Sequence, residues 1–590
     1  MQTEVSAEAA YAARPWLAQY PPDVQSELDF PDQTIWELLQ ETADRFPDHD
    51  AFVFQNRALT FRQVRREAER MAAALFEAGV RKGDVVLAVL PNVPHFPVVY
   101  YGAMRIGAAV ASAPPNSVGP EIEVFLRDSG ARTVVTLDLL FDKVAAVWQR
   151  CGVENVVVGT VADYFPAHVR LIGNLARKIP HPKDPVPYGG AVRRLRSFLS
   201  AGGRLPPDET RPDDAAVLQY TGGTTGTPKA AVLTHRSLLA NARQMRAWFP
   251  SLRDGEETIL GVLPFFHVYG QTLALNAGLL MAARSILIPR PIGSAMLEAI
   301  ARYRPTIFPG VPTIYVTLTH DKRAKDYDLS SIDICVSGGA PLPLEVKRDF
   351  ERLTGGHLYE GYGLSEASPV THAQPHDGRS KIGSMGFPVA NTDARIVDAD
   401  WRAVPIGQEG ELAIRGPQVM REYWGRPEET ADVLRDGWLR TGDVARMDGE
   451  GWFYIVDRKK DLIITGGENI YPREIEEVLF EHPAVQEVAV VGVPHPYGGE
   501  IAKAFIVLKP NMTATKKEIV QFAAERLAKH KVPRAVEFRT ELPKSAAQKV
   551  LRRVLAEEER ERQQQRGSRR RGASVEGKDE AVMVDGNPGT

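Results

Sequence analysis

Residues 219–229 read Gln-Tyr-Thr-Gly-Gly-Thr-Thr-Gly-Thr-Pro-Lys, a run that suits neither helix nor strand. Glycine permits positive φ and close backbone approach, and consecutive N–H groups can form an anion-binding concavity. The threonine hydroxyls add donors, and Lys229 adds a mobile positive charge. The chemistry on offer is the holding of an anion. A Walker loop would set glycine directly before the lysine and Ser or Thr after it. Here Pro228 precedes and Ala230 follows, so this is a different loop. Taken alone, a structural turn remains an alternative.

The elements around the loop follow from pattern. Thr60-Phe-Arg-Gln63 predicts a capping box, and Phe61, Val64, Ala68, Met71 and Leu75 then recur at helical spacing until Gly79. "DVVLAVL" (84–90) is a continuous apolar run, as in a strand buried on both faces. An amphipathic stretch from about Val98 to Ile106 and a second apolar run, "AAVASA", follow it. Strand and helix in alternation predict α/β layers, a large N-terminal domain of such subdomains. Residues 161–204 break the pattern with Pro, Arg, Lys and interleaved aromatics, which reads as a surface excursion, with a membrane-surface patch left open. From about 458 a helix (Arg473 to Glu481), strands at 484–493 and 501–508, a helix capped by Thr515 and Glu518, and "AVEF" make a small α+β domain. The boundaries are therefore 1–457 and 458–560, with 561–590 a low-complexity, disordered tail.

Composition sets the outer limits. A chain of 590 residues is too long for one ordinary core. Lys plus Arg number 72 against 75 Asp plus Glu, which argues against a nucleic-acid partner. Only Cys151 and Cys335 are present, without metal or disulfide spacing, so a reducing, cytoplasmic compartment is expected. The N-terminus lacks a secretory signal pattern and no apolar stretch is long enough to span a bilayer.

"QYTGGTTGTPKAAVLTH" (219–235) closely resembles the phosphate-binding signature of the AMP-forming acyl-CoA synthetase superfamily of adenylating enzymes. The resemblance runs in order from about residue 15 to about 558 through "LPFFHVYG" (263–270), "SGGAPLP" (337–343), "YEGYGLSEASPVTH" (359–372), "GWLRTGD" (437–443), "DRKKDLIITGGENIYPREIEE" (457–477) and "LPKSAAQKVLRR" (542–553). Several motifs in one order are a far stronger signal than any alone. Within the superfamily the chain looks most like bacterial long-chain fatty-acid–CoA ligases, by "LQYTGGTTG", "FFHVYG", the excursion after "VADYFP" and "GENIYPREIE".

The resemblance implies two half-reactions: a fatty-acid carboxylate attacks the α-phosphate of ATP to give acyl-AMP, and coenzyme A then displaces AMP. It assigns the β- and γ-phosphates to Thr221, Gly222, Gly223, Thr224, Thr225, Gly226 and Lys229. Glu366 would bind Mg²⁺ and Ser365 a phosphate; read alone, the pair is a helix start. Tyr362, within Glu360, Gly361 and Gly363, would stack on adenine, with Gly339, Ala340 and Pro341 on its other edge. Asp443 and Arg458 would take the ribose, and His267 would border the acyl carboxylate. Read singly, Tyr362 is a core tyrosine, Asp443 a turn aspartate and His267 a packing histidine. Lys549 would bridge the acid and the α-phosphate, Lys460 would be the hinge, and Gly466 and Gly467 would line the coenzyme A channel.

Three positions depart from the family pattern. Ser365 stands where threonine is commoner, Ala230 follows the loop lysine in place of glycine, and Gln548 replaces the glycine before Lys549. If that glycine has positive φ, glutamine would cost on the order of 1 kcal/mol. Medium-chain or aryl acid ligation is an alternative. A fatty-acyl-AMP ligase would carry an insertion between "GYG" and "RTGD" that is not evident, and an inactive relative would have lost catalytic groups that are present. Peripheral contact with the inner face of the membrane through 161–204 and a homodimer are left open.

Overall fold

Thr60 and Gln63 form the expected capping box. Thr60 Oγ1 accepts from the Gln63 N–H at 3.3 Å, and Gln63 Oε1 accepts from the Thr60 N–H at 3.1 Å. The helix they start, Phe61–Glu77, buries Phe61, Val64, Ala68, Met71 and Leu75, and Gly79 at φ +95° follows its end. The structure, a computed structural model, describes residues 6–166, 169, 179–221, 228–381, 383–458, 461–465, 468–495, 499–545 and 549–562. The chain divides into a large unit, Met1–Ile455 with Ala546–Lys549, and a small unit, Val456–Ser545 with Val550–Thr590.

The large unit is layered α/β. One eight-stranded sheet has the order Glu422–Tyr423, Lys229–Thr234, Ala215–Thr221, Ala109–Ser112, Val85–Val89, Thr133–Leu137, Asn155–Gly159, Val192–Arg194. Val86 pairs in parallel with both Val110 and Thr133, and every residue of Val85–Val89 is buried. A continuous apolar run is what such a doubly covered strand requires. The second sheet has fourteen strands, and its parallel part sets Ile307–Gly310, Ile334–Ser337 and His357–Gly363 side by side.

Two stretches differ from their sequence reading. The segment read as amphipathic from Val98 is the helix His95–Met104, buried at every residue. It packs so closely on Phe61–Glu77 that a Cβ at Gly102 would lie 2.7 Å from Met71 Cβ. A helix covered all round has no polar stripe to reveal its period. The excursion after 161 is more than surface loop: Val192–Arg194 adds the edge strand beside Asn155–Gly159, and helix Leu195–Ser200 buries Leu195, Phe198 and Leu199. Residues 167–168 and 170–178 lie outside the described set. Among the described residues no helix is long and apolar enough to cross a membrane.

The small unit is α+β, as expected. Helices Pro472–Phe480 and Lys516–Ala524 accompany strands Val485–His495, Gly499–Leu508 and Ala535–Arg539, around a core of Ile475, Leu479, Val490, Ile506 and Ile519. The Arg552 guanidinium ties the late segment to the start of this unit. It donates to Glu476 Oε2 at 2.5 Å, Asp457 Oδ1 at 3.2 Å and Asp461 Oδ2 at 3.1 Å. Helical structure continues over 552–562, so Glu561 and Arg562 belong to a helix rather than to the tail; 563–590 lie outside the described residues.

Candidate active site

Because the strands Ile307–Gly310, Ile334–Ser337 and His357–Gly363 are parallel and in register, their carboxyl ends deliver Val311, Gly338–Gly339 and Gly361–Gly363 to one edge. That edge of a parallel sheet is where ligands are usually held. Gly339 turns the chain at φ +77°, and Ala340 and Pro341 follow it at the surface or half-buried. A Cβ at Gly363 would collide with the Pro369 carbonyl oxygen, so glycine is needed for the return strand to pass. That strand, Val370–Ala373, runs antiparallel and pairs His372 with Tyr362. The Glu360 carboxylate accepts from the Leu342 N–H at 3.3 Å, stitching the Gly339–Pro341 turn to the same strand.

Tyr362 is half-buried, and its hydroxyl donates to Asp443 Oδ2 at 2.5 Å. Asp443 arrives on strand Trp438–Met447 and is 5% exposed. Gly442, at φ +76°, donates its N–H to Glu411 Oε1 at 3.1 Å and shapes the turn that presents Asp443. Two residues the sequence places 81 positions apart thus meet side by side.

On the other strand pair, Thr221 and Lys229 stand opposite one another, and Thr221 Oγ1 donates to the Lys229 carbonyl at 3.3 Å. Gly222, Gly223, Thr224, Thr225 and Gly226 lie outside the described residues. Ala230 is fully buried within its strand. The Lys229 ammonium pairs with the Glu429 carboxylate and lies 5.4 Å from the centre of the Tyr423 ring. Tyr423 is brought there by register, since strand Glu422–Tyr423 pairs with Lys229–Thr234 through Tyr423 and Ala231. Its hydroxyl donates to Glu366 Oε1 at 2.9 Å. Burial, with the Glu366 charge beside it, pushes the Tyr423 phenol far above its ordinary range, so it remains a donor. Glu429 is held below the usual carboxylate range by the Lys229 hydrogen bond, with Arg426 adding to it. Glu366 sits in the single turn Ser365–Ala367, and its carbonyl accepts from Met420 N–H at 2.7 Å.

Sequence reading missed Tyr423 and Glu429. Neither stands at a telling spacing; only strand pairing brings "REYWGRPEE" against the loop lysine.

His267 caps a short helix: its Nδ1 accepts from the Tyr269 N–H at 3.2 Å, which leaves the ring proton on Nε2. Burial, aided by the charge of Lys549, pulls it down to about 4. Lys549 is exposed and groups with the large unit, so its charge is felt where His267 lies. Arg458 is in the small unit, exposed, with its N–H on Asp457 Oδ1 at 2.7 Å. Lys460, Gly466, Gly467 and Gln548 lie outside the described residues.

Two buried rings, His235 and His372, and the half-buried His267 share one titration pattern. Burial lowers His235 to about 4 and His372 to about 3, alongside His267 at about 4, from an ordinary 6.5. Folded values lie below unfolded ones, so this stability is present above pH 6.5 and is lost as pH falls toward 4 and then 3. The urea midpoint should therefore drop between pH 7.5 and pH 5. A midpoint unmoved over that interval would contradict the neutral state of these rings.

Among the described residues no group of three or more His, Cys, Asp or Glu could hold a metal by itself. A lone carboxylate such as Glu366 suits a hard cation that keeps several waters and takes its remaining ligands from a substrate phosphate.

A family model described as "AMP-binding enzyme" matches residues 39–424, and one described as "AMP-binding enzyme C-terminal domain" matches 474–549. The long-chain-fatty-acid–CoA ligase of Bacillus subtilis (strain 168) is 46% identical over 555 residues, covering 93% of this chain and 98% of that protein. The ligase of the same name from Escherichia coli O6:H1 is 39% identical over 553 residues, with 92% and 98% covered. Among solved structures, the anthranilate CoA ligase AuaEII in complex with anthranoyl-AMP matches with a TM-score of 0.80 at 27% identity, covering 90% of this chain and 98% of that one.

Proposed function

Since the chain belongs to the AMP-binding enzyme family, we propose that it is a long-chain fatty acid–CoA ligase working in the cytoplasm. A fatty-acid carboxylate oxygen attacks the α-phosphorus of ATP, the bond to the bridging β-phosphate oxygen breaks, and diphosphate leaves. The coenzyme A thiol, losing its proton, then attacks the acyl carbonyl and releases AMP. The observation that carries the reading is the constellation in which Tyr423 joins Glu366 to Lys229 while Asp443 holds Tyr362.

In this reading Lys229 exchanges its Glu429 partner for the β- and γ-phosphates, which carry more charge and more acceptor oxygens. Adenine stacks on Tyr362, between that ring and the Gly339–Pro341 turn. Asp443 accepts from the ribose hydroxyls while also accepting from Tyr362; a carboxylate has lone pairs for both. Glu366 would hold Mg²⁺, which supplies charge neutralisation at the phosphates. Lys549, whose field reaches His267, meets the acid and the α-phosphate. Arg458 reaches the same ribose, and the domain around 458–560 then reorients about Lys460, bringing Gly466 and Gly467 to the pantetheine arm, so each half-reaction has its own lining.

The acyl class follows the curated relatives. The anthranilate ligase likeness favours a second reading, an aryl acid substrate. AMP release with palmitate, octanoate or benzoate, each with and without coenzyme A, decides between them. We expect coenzyme A-dependent release that is greatest with palmitate. Preference for benzoate would establish the second reading, and absence of any coenzyme A-dependent product would overturn both.

A further inference from the structure

We propose that Glu429 is a positioning residue for Lys229 that takes the lysine back as diphosphate leaves, with Arg426 holding the Glu429 carboxylate while the lysine is on the phosphates; this rests on the assignment of Lys229 above. The Lys229 ammonium pairs with the Glu429 carboxylate, and the two side chains are 28% and 35% exposed. An ion pair that water reaches is weak enough for a triphosphate, with more charge and more acceptor oxygens, to break. A carboxylate and a phosphate on one ammonium repel each other, so Lys229 serves one or the other. The same attraction sets a problem after adenylation. Diphosphate still carries that charge, and it must give up the lysine before the site can turn over. A carboxylate waiting beside Lys229 supplies the competitor.

A displaced carboxylate needs a second partner, and Arg426 provides it. Glu429 lies in the first turn of helix Pro427–Val433, and Arg426 stands at the N-cap of that helix. Arg426 Nη1 lies 3.4 Å from Glu429 Oε1, so the carboxylate already touches both cations. Arg426 itself is immobilised. Its Nη2 donates to Asp128 Oδ1 at 2.6 Å, Asp128 Oδ2 accepts from the Tyr220 hydroxyl at 3.0 Å, and the Tyr220 ring meets Phe125 edge-on at 4.6 Å and 70°. Its backbone N–H donates to the Tyr423 carbonyl at 3.1 Å, and its carbonyl accepts from Thr430 Oγ1 at 2.7 Å. With a fixed guanidinium on one side and a flexible ammonium on the other, Glu429 changes partner by rotating its own side chain. A salt bridge that only braced the surface would have no use for the anchored second cation.

The test measures palmitate- and coenzyme A-dependent AMP release at varied ATP, with and without added diphosphate. Glu429→Gln, which keeps size and removes charge, should lower both the KM for ATP and the inhibition constant of diphosphate about two- to fivefold, the range an exposed ion pair spans, while palmitate KM moves less than about twofold. Arg426→Gln removes the second partner and should shift both constants the other way, upward by about twofold. In a Lys229→Ala background, Glu429→Gln should shift neither constant by more than about 1.5-fold, because the competition it removes is for that lysine. If Arg426→Gln does not fold, Arg426→Lys takes its place, keeping a charge beside Asp128 with one ammonium instead of two arms. Unchanged constants in Glu429→Gln, a rise in either, an Arg426 variant that shifts them in the same direction as Glu429→Gln, or a full effect in the Lys229→Ala background would each overturn the inference. A normal ATP KM in Lys229→Ala alone would remove the phosphate assignment itself, and this inference with it. A defective Lys229→Ala beside a normal Glu429→Gln removes only this inference.

Discussion

Lys549→Ala should lower palmitate-dependent ATP–diphosphate exchange by about a hundredfold to a thousandfold, the usual loss when one preorganised donor to a developing charge is removed. Supplied palmitoyl-AMP and coenzyme A should still give thioester within about threefold of the parent rate. The asymmetry follows from where charge develops. Attack on the α-phosphate gathers negative charge between a carboxylate and a triphosphate, and an ammonium there stabilises the transition state more than the ground state. Displacement of AMP by a thiol has no such gathering. Lys549 groups with the large unit, and its charge contributes to the lowering of His267. Lys549→Arg should recover only part of the rate, since a planar fork cannot replace a compact ammonium. Equal loss in both half-reactions would remove the assignment.

How far the sequence could reach depended on whether each signal was local. The helix Phe61–Glu77 was readable because its cap and its period lie within its own residues and one face meets solvent. The helix His95–Met104 hid its period because every face is covered. The strand Val192–Arg194 hid because it is three residues long, at a sheet edge, with Arg193 and Arg194 exposed among prolines. The same distinction holds at the site. Lys229, Tyr362, Glu366 and Asp443 stand in contiguous motifs, and the contact of Tyr362 with Asp443 could be anticipated only as a shared role. Tyr423 and Glu429 reach the loop lysine through strand register and an ion pair between segments some two hundred residues apart. No spacing within one segment encodes that.

Glu366→Gln should reduce adenylation by about a hundredfold or more and raise the Mg²⁺ concentration needed for half-maximal rate, with thermal stability nearly unchanged. The reasoning is in what glutamine keeps. Its amide oxygen can still accept the Tyr423 hydroxyl now seen 2.9 Å from Glu366 Oε1, and the backbone contact with Met420 is untouched. Shape, packing and that hydrogen bond survive; the negative charge does not. A loss of rate without a loss of stability therefore reports on charge facing the phosphates rather than on the fold. Tyr423→Phe is the companion variant, since it keeps the charge and removes the donor that orients it. It should cost about tenfold in rate and leave the Mg²⁺ requirement close to the parent, because an unaimed carboxylate still attracts the cation. If Glu366→Gln titrated with Mg²⁺ as the parent does, the carboxylate would have only the structural task of receiving Tyr423. The two variants would then lose rate together, by similar factors, at every Mg²⁺ concentration.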